Sequence, residues 1–161
     1  MMTFIPSSYG SAIAELLDRE RLPELGPGSP NVAVKPALQS LIATKLCLAG
    51  LWLLHDFLDG SHTISQDIDT PEGSFWHAIM HRREPDASNS KYWWRLVGSH
   101  PVLKQLRQES PALGYTYTNP FDFVDFCERV RGSGTKEEEL ARRIQRLEWQ
   151  LLFDHCSRLQ S

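Results

Sequence analysis

The sequence predicts an all-α protein, a single-domain bundle of six or seven helices around a buried central helix. Three observations carry this expectation. Apolar residues recur at three- and four-residue spacing, as in Phe123, Phe126, Cys127 and Val130, or Leu140, Ile144, Leu147 and Leu151. That period lines one face of a helix. Pairs that start helices, Thr70–Pro71 and Asn119–Pro120, punctuate the chain; the polar residue accepts from the first turn, and Pro has no N–H to leave unpaired there. Only GYTYTN alternates like a strand, and no partner strand is visible.

Taken in order, Ser7–Glu20 reads as a first helix, with Ile13, Leu16 and Leu17 on one face. LPELGPGSPN follows, with three prolines and two glycines in ten residues, which is a loop or linker. Residues 1–35 are therefore expected to form an arm lying across the rest. Pro36 suits a first helical position, and the apolar run after it predicts the central helix, Pro36–Asp59, ended by Gly60 in a left-handed cap. Thr70 and Pro71 open the next helix, which must stop near Glu84 because Pro85 disfavours helix in the residue before it. Asp86 or Ser88 caps a helix through NSKYWWRLV, closed by Gly98. Pro101 starts a short helix through Val102, Leu103 and Leu106. Asn119 and Pro120 start another, broken at Gly132–Gly134. Thr135 and Glu138 make a capping box for the last helix.

The chain has 161 residues, 41% apolar and 23% charged, with a net charge of −3. That composition suits one globular domain and gives no general attraction to nucleic acid or an anionic membrane. The most apolar run, Leu46–Leu54, has nine residues, and a membrane span needs about 20. MMTFIPSSYG lacks the basic region and apolar run of a signal peptide. Cys47, Cys127 and Cys156 are far apart and have no metal spacing. Three reduced structural thiols in a cytoplasmic protein are expected.

Two polar clusters stand out. The first, HDFLDGSHTISQD, holds His55, Asp56, Asp59 and His62; the second is SFWHAIMHRREPDASNSKYWWRLVG, Ser74–Gly98. Both lie at the ends of helices, where helical proteins build pockets. His77 and His81 are four apart, so their rings project from one helical face. That is ligand spacing for a divalent metal such as zinc or iron. His55 and Asp59 are also four apart, which gives a candidate set of His55, Asp59, His77 and His81, with His62 in reserve. The residue after His77 is Ala78, so this is not the H-E-x-x-H pattern of metalloproteases. The same histidines could instead bond to carboxylates or backbone and fix a polar interior.

Arg82 and Arg83 follow at once, and Lys91 and Arg95 are four apart on the next helix. Guanidinium forks match carboxylate or phosphate. These residues predict a pocket for a small polar or anionic molecule, lined by His55, His77, His81, Arg82, Arg83, Lys91 and Arg95. The opposing expectation is that Arg82 and Arg83 pair with Glu84, Asp86 or the acids near Asp56. Of Trp76, Tyr92, Trp93 and Trp94, at least two should pack in the core. No G-x-S-x-G elbow and no phosphate loop occurs. Three functions remain open: a ligand-binding protein, a metal-assisted or histidine-based hydrolase or lyase, and an interaction module without a ligand.

The blocks LLHDFLDGSHTISQ and SFWHAIMHRREPDASNSKYWWRLVGSHPV, within Leu53–Val102, resemble a family of uncharacterised proteins that share them. H-R-R-E-P-D followed by S-N-x-K-Y-W is long enough to be specific as a label. The resemblance implies no activity and transfers no catalytic residue. It implies that the two blocks belong to one site.

Overall fold

The computed structural model describes residues 2–18 and 20–159. Among them are nine α-helices and no strand: α1 (Ser11–Ala14), α2 (Lys35–Ser40), α3 (Lys45–Leu54), α4 (Leu58–Ser65), α5 (Pro71–Arg83), α6 (Ala87–Val97), α7 (Pro101–Glu109), α8 (Pro120–Val130) and α9 (Lys136–Arg158). None is long and apolar enough to cross a membrane.

Most starts are set by local chemistry. Thr70, Asp86 and Asn119 each accept a backbone N–H of the first turn, from Gly73, Asn89 and Asp122. His100 does the same for α7, through Nδ1 and the Val102 N–H. Thr135 accepts from the Glu138 N–H. Glu138 departs from the usual capping box: its carboxylate reaches past Thr135 to the N–H groups of Gly132 and Gly134. Gly98 ends α6 at φ +63, a conformation costly for any residue with a Cβ.

Two expected elements are corrected. The helix expected over Ser7–Glu20 is a single 3-10 turn, Pro6–Tyr9, and the four-residue α1; Gly10, at φ +92, separates them. The continuous helix expected over Pro36–Asp59 is three pieces. α2 stops at Ser40, and the Thr44 hydroxyl caps a new helix by accepting from Cys47 N–H. α3 stops at Leu54 because Asp56 takes φ +67. The carboxylate of Asp56 receives Arg83 at 2.6 Å, Arg21 at 2.8 Å and the Ser29 N–H at 3.2 Å. These charge-assisted bonds offset the unfavourable backbone. Gly60 does not cap a helix. It lies inside α4, where an added Cβ would stand 2.5 Å from the Trp52 ring, so it permits close packing of α4 on α3.

α5 is buried from Gly73 to Arg83 and packs against α3, α4 and α6. Gly50 lets it approach α3, since a Cβ there would meet the Trp76 indole at 2.6 Å. Trp76 and Trp94 are core residues, Trp93 is half-buried and Tyr92 is exposed. The three cysteines are unpaired and buried.

The proline-rich segment after Leu17 is bound through its main chain. The carbonyls of Leu22 and Pro23 accept from Arg142, that of Glu24 from Gln145, that of Leu25 from Arg131 and that of Gly26 from Arg83. Five consecutive carbonyls are thus held by side chains of α5, α9 and Arg131 just after α8, with Leu25 buried beneath them.

Candidate metal centre

His77 and His81 project from one face of α5, as their spacing requires. The chain turn at Asp56 and the start of α4 bring His62 against them. One ring nitrogen of each imidazole lies within 4.8 Å of the others. Ring centroids are 4.7 Å apart for His62–His77 and for His77–His81, and 5.3 Å for His62–His81. Tetrahedral zinc with bonds near 2.0 Å sets nitrogens roughly 3.3 Å apart. The ligand nitrogens therefore need to close by about 1.5 Å or less.

The hydrogen bonding of the three is uneven. His81 Nδ1 bonds to the carboxylate of Glu84. A carboxylate only accepts, so Nδ1 donates to it, and in the neutral ring Nε2 holds the lone pair. His77 is 3% exposed, and its Nδ1 is buried without a partner. No hydrogen bond is made by the rings of His62 or His77 among the described residues. Trp93 stacks on His77 at 3.7 Å between centroids. Burial, followed by the two neighbouring imidazoles, brings the His77 pKa down to about 3. His77 is therefore neutral, the form a metal requires.

A second cluster joins Glu72, His100 and His155. Here the ring nitrogens are committed. His100 Nδ1 accepts the Val102 N–H, and Nε2 donates to Glu72 Oε2 at 2.6 Å. His155 Nε2 is 3.4 Å from the same oxygen. Burial lowers the His100 pKa against the opposing pull of Glu72. A neutral imidazole whose Nδ1 accepts must be protonated at Nε2, so His100 has no lone pair left for a metal.

The structure separates the residues expected to line one pocket. His55 lies apart from His77 and His81. Its Nε2 bonds to the Leu16 carbonyl at 2.7 Å and its Nδ1 faces Asn31. Asp59 is exposed on α4 and is not in the histidine group. Arg82, fully buried, forks onto Glu148 at 2.7 and 3.0 Å and reaches Gln145. Burial pulls the Arg82 pKa down, and the Glu148 carboxylate more than reverses this. Arg83 bonds to Asp56 and to the carbonyls of Gly26 and Leu53. Lys91 pairs with Asp125. Arg95 is exposed on α6 and lines a groove with His100 and Arg107.

Sequence reasoning passed over Glu148 and Gln145, yet a signal was there. Both share the buried face of α9 with Ala141, Ile144 and Leu152, and an acid at a core position of a helix requires a buried cation. No protein-family model, curated protein or solved structure matches the chain.

Proposed function

We propose that this protein binds a divalent transition-metal ion through His62, His77 and His81, with Glu84 orienting His81 from behind. The observation that carries the reading is the convergence of three imidazoles, one of which, His77, has a buried Nδ1 without a partner. Buried polar groups are otherwise almost always satisfied. Three imidazole nitrogens suit zinc, copper or nickel better than magnesium or calcium. A carboxylate behind a ligating histidine is the usual outer-shell support. Three protein ligands leave one tetrahedral position for water or a small polar or anionic molecule. Metal-assisted hydrolysis is the second reading, favoured by that open position, because zinc held by three histidines brings the pKa of its water near 7.

The test is titration of chelator-treated, desalted protein with cobalt(II) and zinc. The expected result is one equivalent of metal, a visible cobalt band of tetrahedral type, and quenching at Trp93. His62→Ala and His77→Ala should each abolish all three. Protein that takes up no metal, or variants that bind as the parent does, would sink the reading and leave a polar interior that only supports the fold.

A further inference from the structure

Arg95 and Arg107 line one surface groove of about 420 Å³ together with His100, Asn119, Trp94 and Phe121. Both arginines are exposed, and neither has an ion pair or hydrogen bond among the described residues. No carboxylate lines the groove, and Glu72 and Asp122 stand behind it, bonded to His100 and Asn119, so the two exposed guanidinium groups are the charges that meet an incoming ligand. His100 adds none, since its Nδ1 accepts the Val102 N–H and the ring is therefore neutral. The other three basic residues of the same sequence block, Arg82, Arg83 and Lys91, are taken up by Glu148, Asp56 and Asp125.

Two helices begin at this groove. His100 is the N-cap of α7 and Asn119 the N-cap of α8, and both line it. Their first-turn N–H groups are already held by the caps, His100 accepting from Val102 and Asn119 from Asp122, so an anion there is held by the arginines. A further observation points to an absent acceptor. Trp94 also lines the groove. It is 1% exposed, and its indole Nε1 has no hydrogen-bond partner. A donor left bare inside a protein is uncommon.

From these features we infer that the groove binds a phosphate group between Arg95 and Arg107. The ligand class is a small phosphate monoester whose organic part lies along Phe121. Two guanidinium forks match the tetrahedral oxyanion, and the volume is in the range of small-molecule sites. This site is separate from the histidine centre, and its chemistry does not depend on a metal.

Metal-free protein titrated with inorganic phosphate and with phenyl phosphate, at constant ionic strength, tests the inference. Calorimetry gives affinity, and the five tryptophan indole N–H resonances locate the site. Saturable binding with a shift at the Trp94 indole is expected, with phenyl phosphate the tighter ligand. Arg95→Ala and Arg107→Ala should each weaken binding by about 10-fold or more. Both side chains are exposed and unpaired, so both variants should melt as the parent does. Arg143→Ala, exposed on α9 and outside the groove's lining, serves as the control and should bind normally. No saturable binding, or binding equally strong in the Arg95 and Arg107 variants, would overturn the inference. Equal weakening by all three variants would reduce the effect to general charge and overturn it too.

Discussion

The two histidine clusters use the same side chains to different ends. In one, His62, His77 and His81 face each other and leave nitrogens bare; in the other, His100 spends both nitrogens on Val102 and Glu72. The difference lies in what each Nδ1 meets. Glu84 accepts a hydrogen bond from His81 Nδ1 and leaves Nε2 open, while a backbone N–H donates to His100 Nδ1 and obliges Nε2 to carry the proton. Proximity of ligand atoms therefore does not by itself make a metal site. The hydrogen bond on the opposite nitrogen decides whether a lone pair is available.

Five substitutions test this contrast, the largest effect first. His77→Ala, or the half-buried His62→Ala, should lower metal affinity by about 100-fold or more, whereas His155→Ala should leave it within about 3-fold; a direct ligand contributes more than the 10–100-fold of an outer-shell group. Competition against a coloured chelator measures both, and comparable losses at the two clusters would erase the distinction. Glu84→Gln should weaken metal binding by about 10–100-fold, because the amide no longer stabilises the His81 Nδ1 proton as an anion does. Glu72→Ala should cost about 1–3 kcal/mol of stability in urea by leaving the buried His100 donor unpaired, with metal affinity unchanged. A shift in metal affinity there would show that the second cluster also binds.

The sixth histidine supplies the baseline. His55 belongs to neither cluster, and burial lowers its pKa from the ordinary value of 6.5. The unfolded chain thus takes up the proton more readily than the folded one. Its contribution is fully present above pH 6.5 and is lost as pH falls toward the lower folded value, by at most about 1.4 kcal/mol per pH unit. His55→Gln keeps a donor for the Leu16 carbonyl and does not titrate. Between pH 7 and pH 5 the parent should lose more stability than this variant in parallel melts. Parallel curves would mean that His55 adds nothing to the acid sensitivity.

Local chemistry was legible in the sequence. The starts at Thr70, Asp86, Asn119 and Thr135 and the stop at Gly98 were readable because each depends on residues within four positions. The His77–His81 pairing was readable for the same reason. The break at Asp56 was not, because its positive φ is held by Arg83 and Arg21, both distant in the chain. Missing that turn misplaced two histidines at once. On an unbroken helix His55 would sit with Asp59 at the site. With the turn, α4 begins afresh and His62 takes that place. The fate of Arg82 and Arg83 was half legible: Asp56 was an expected partner, while Glu148 stood 66 positions away.

The segment from Leu22 to Gly26 is gripped by its carbonyls, and every amino acid brings a carbonyl. Its letters are therefore weakly constrained, apart from buried Leu25 and Gly26, while Arg83, Arg131, Arg142 and Gln145 that hold it are not. Over generations such a stretch can drift in spelling and still be clasped. Shortening it by one residue would put every carbonyl out of step with its donor.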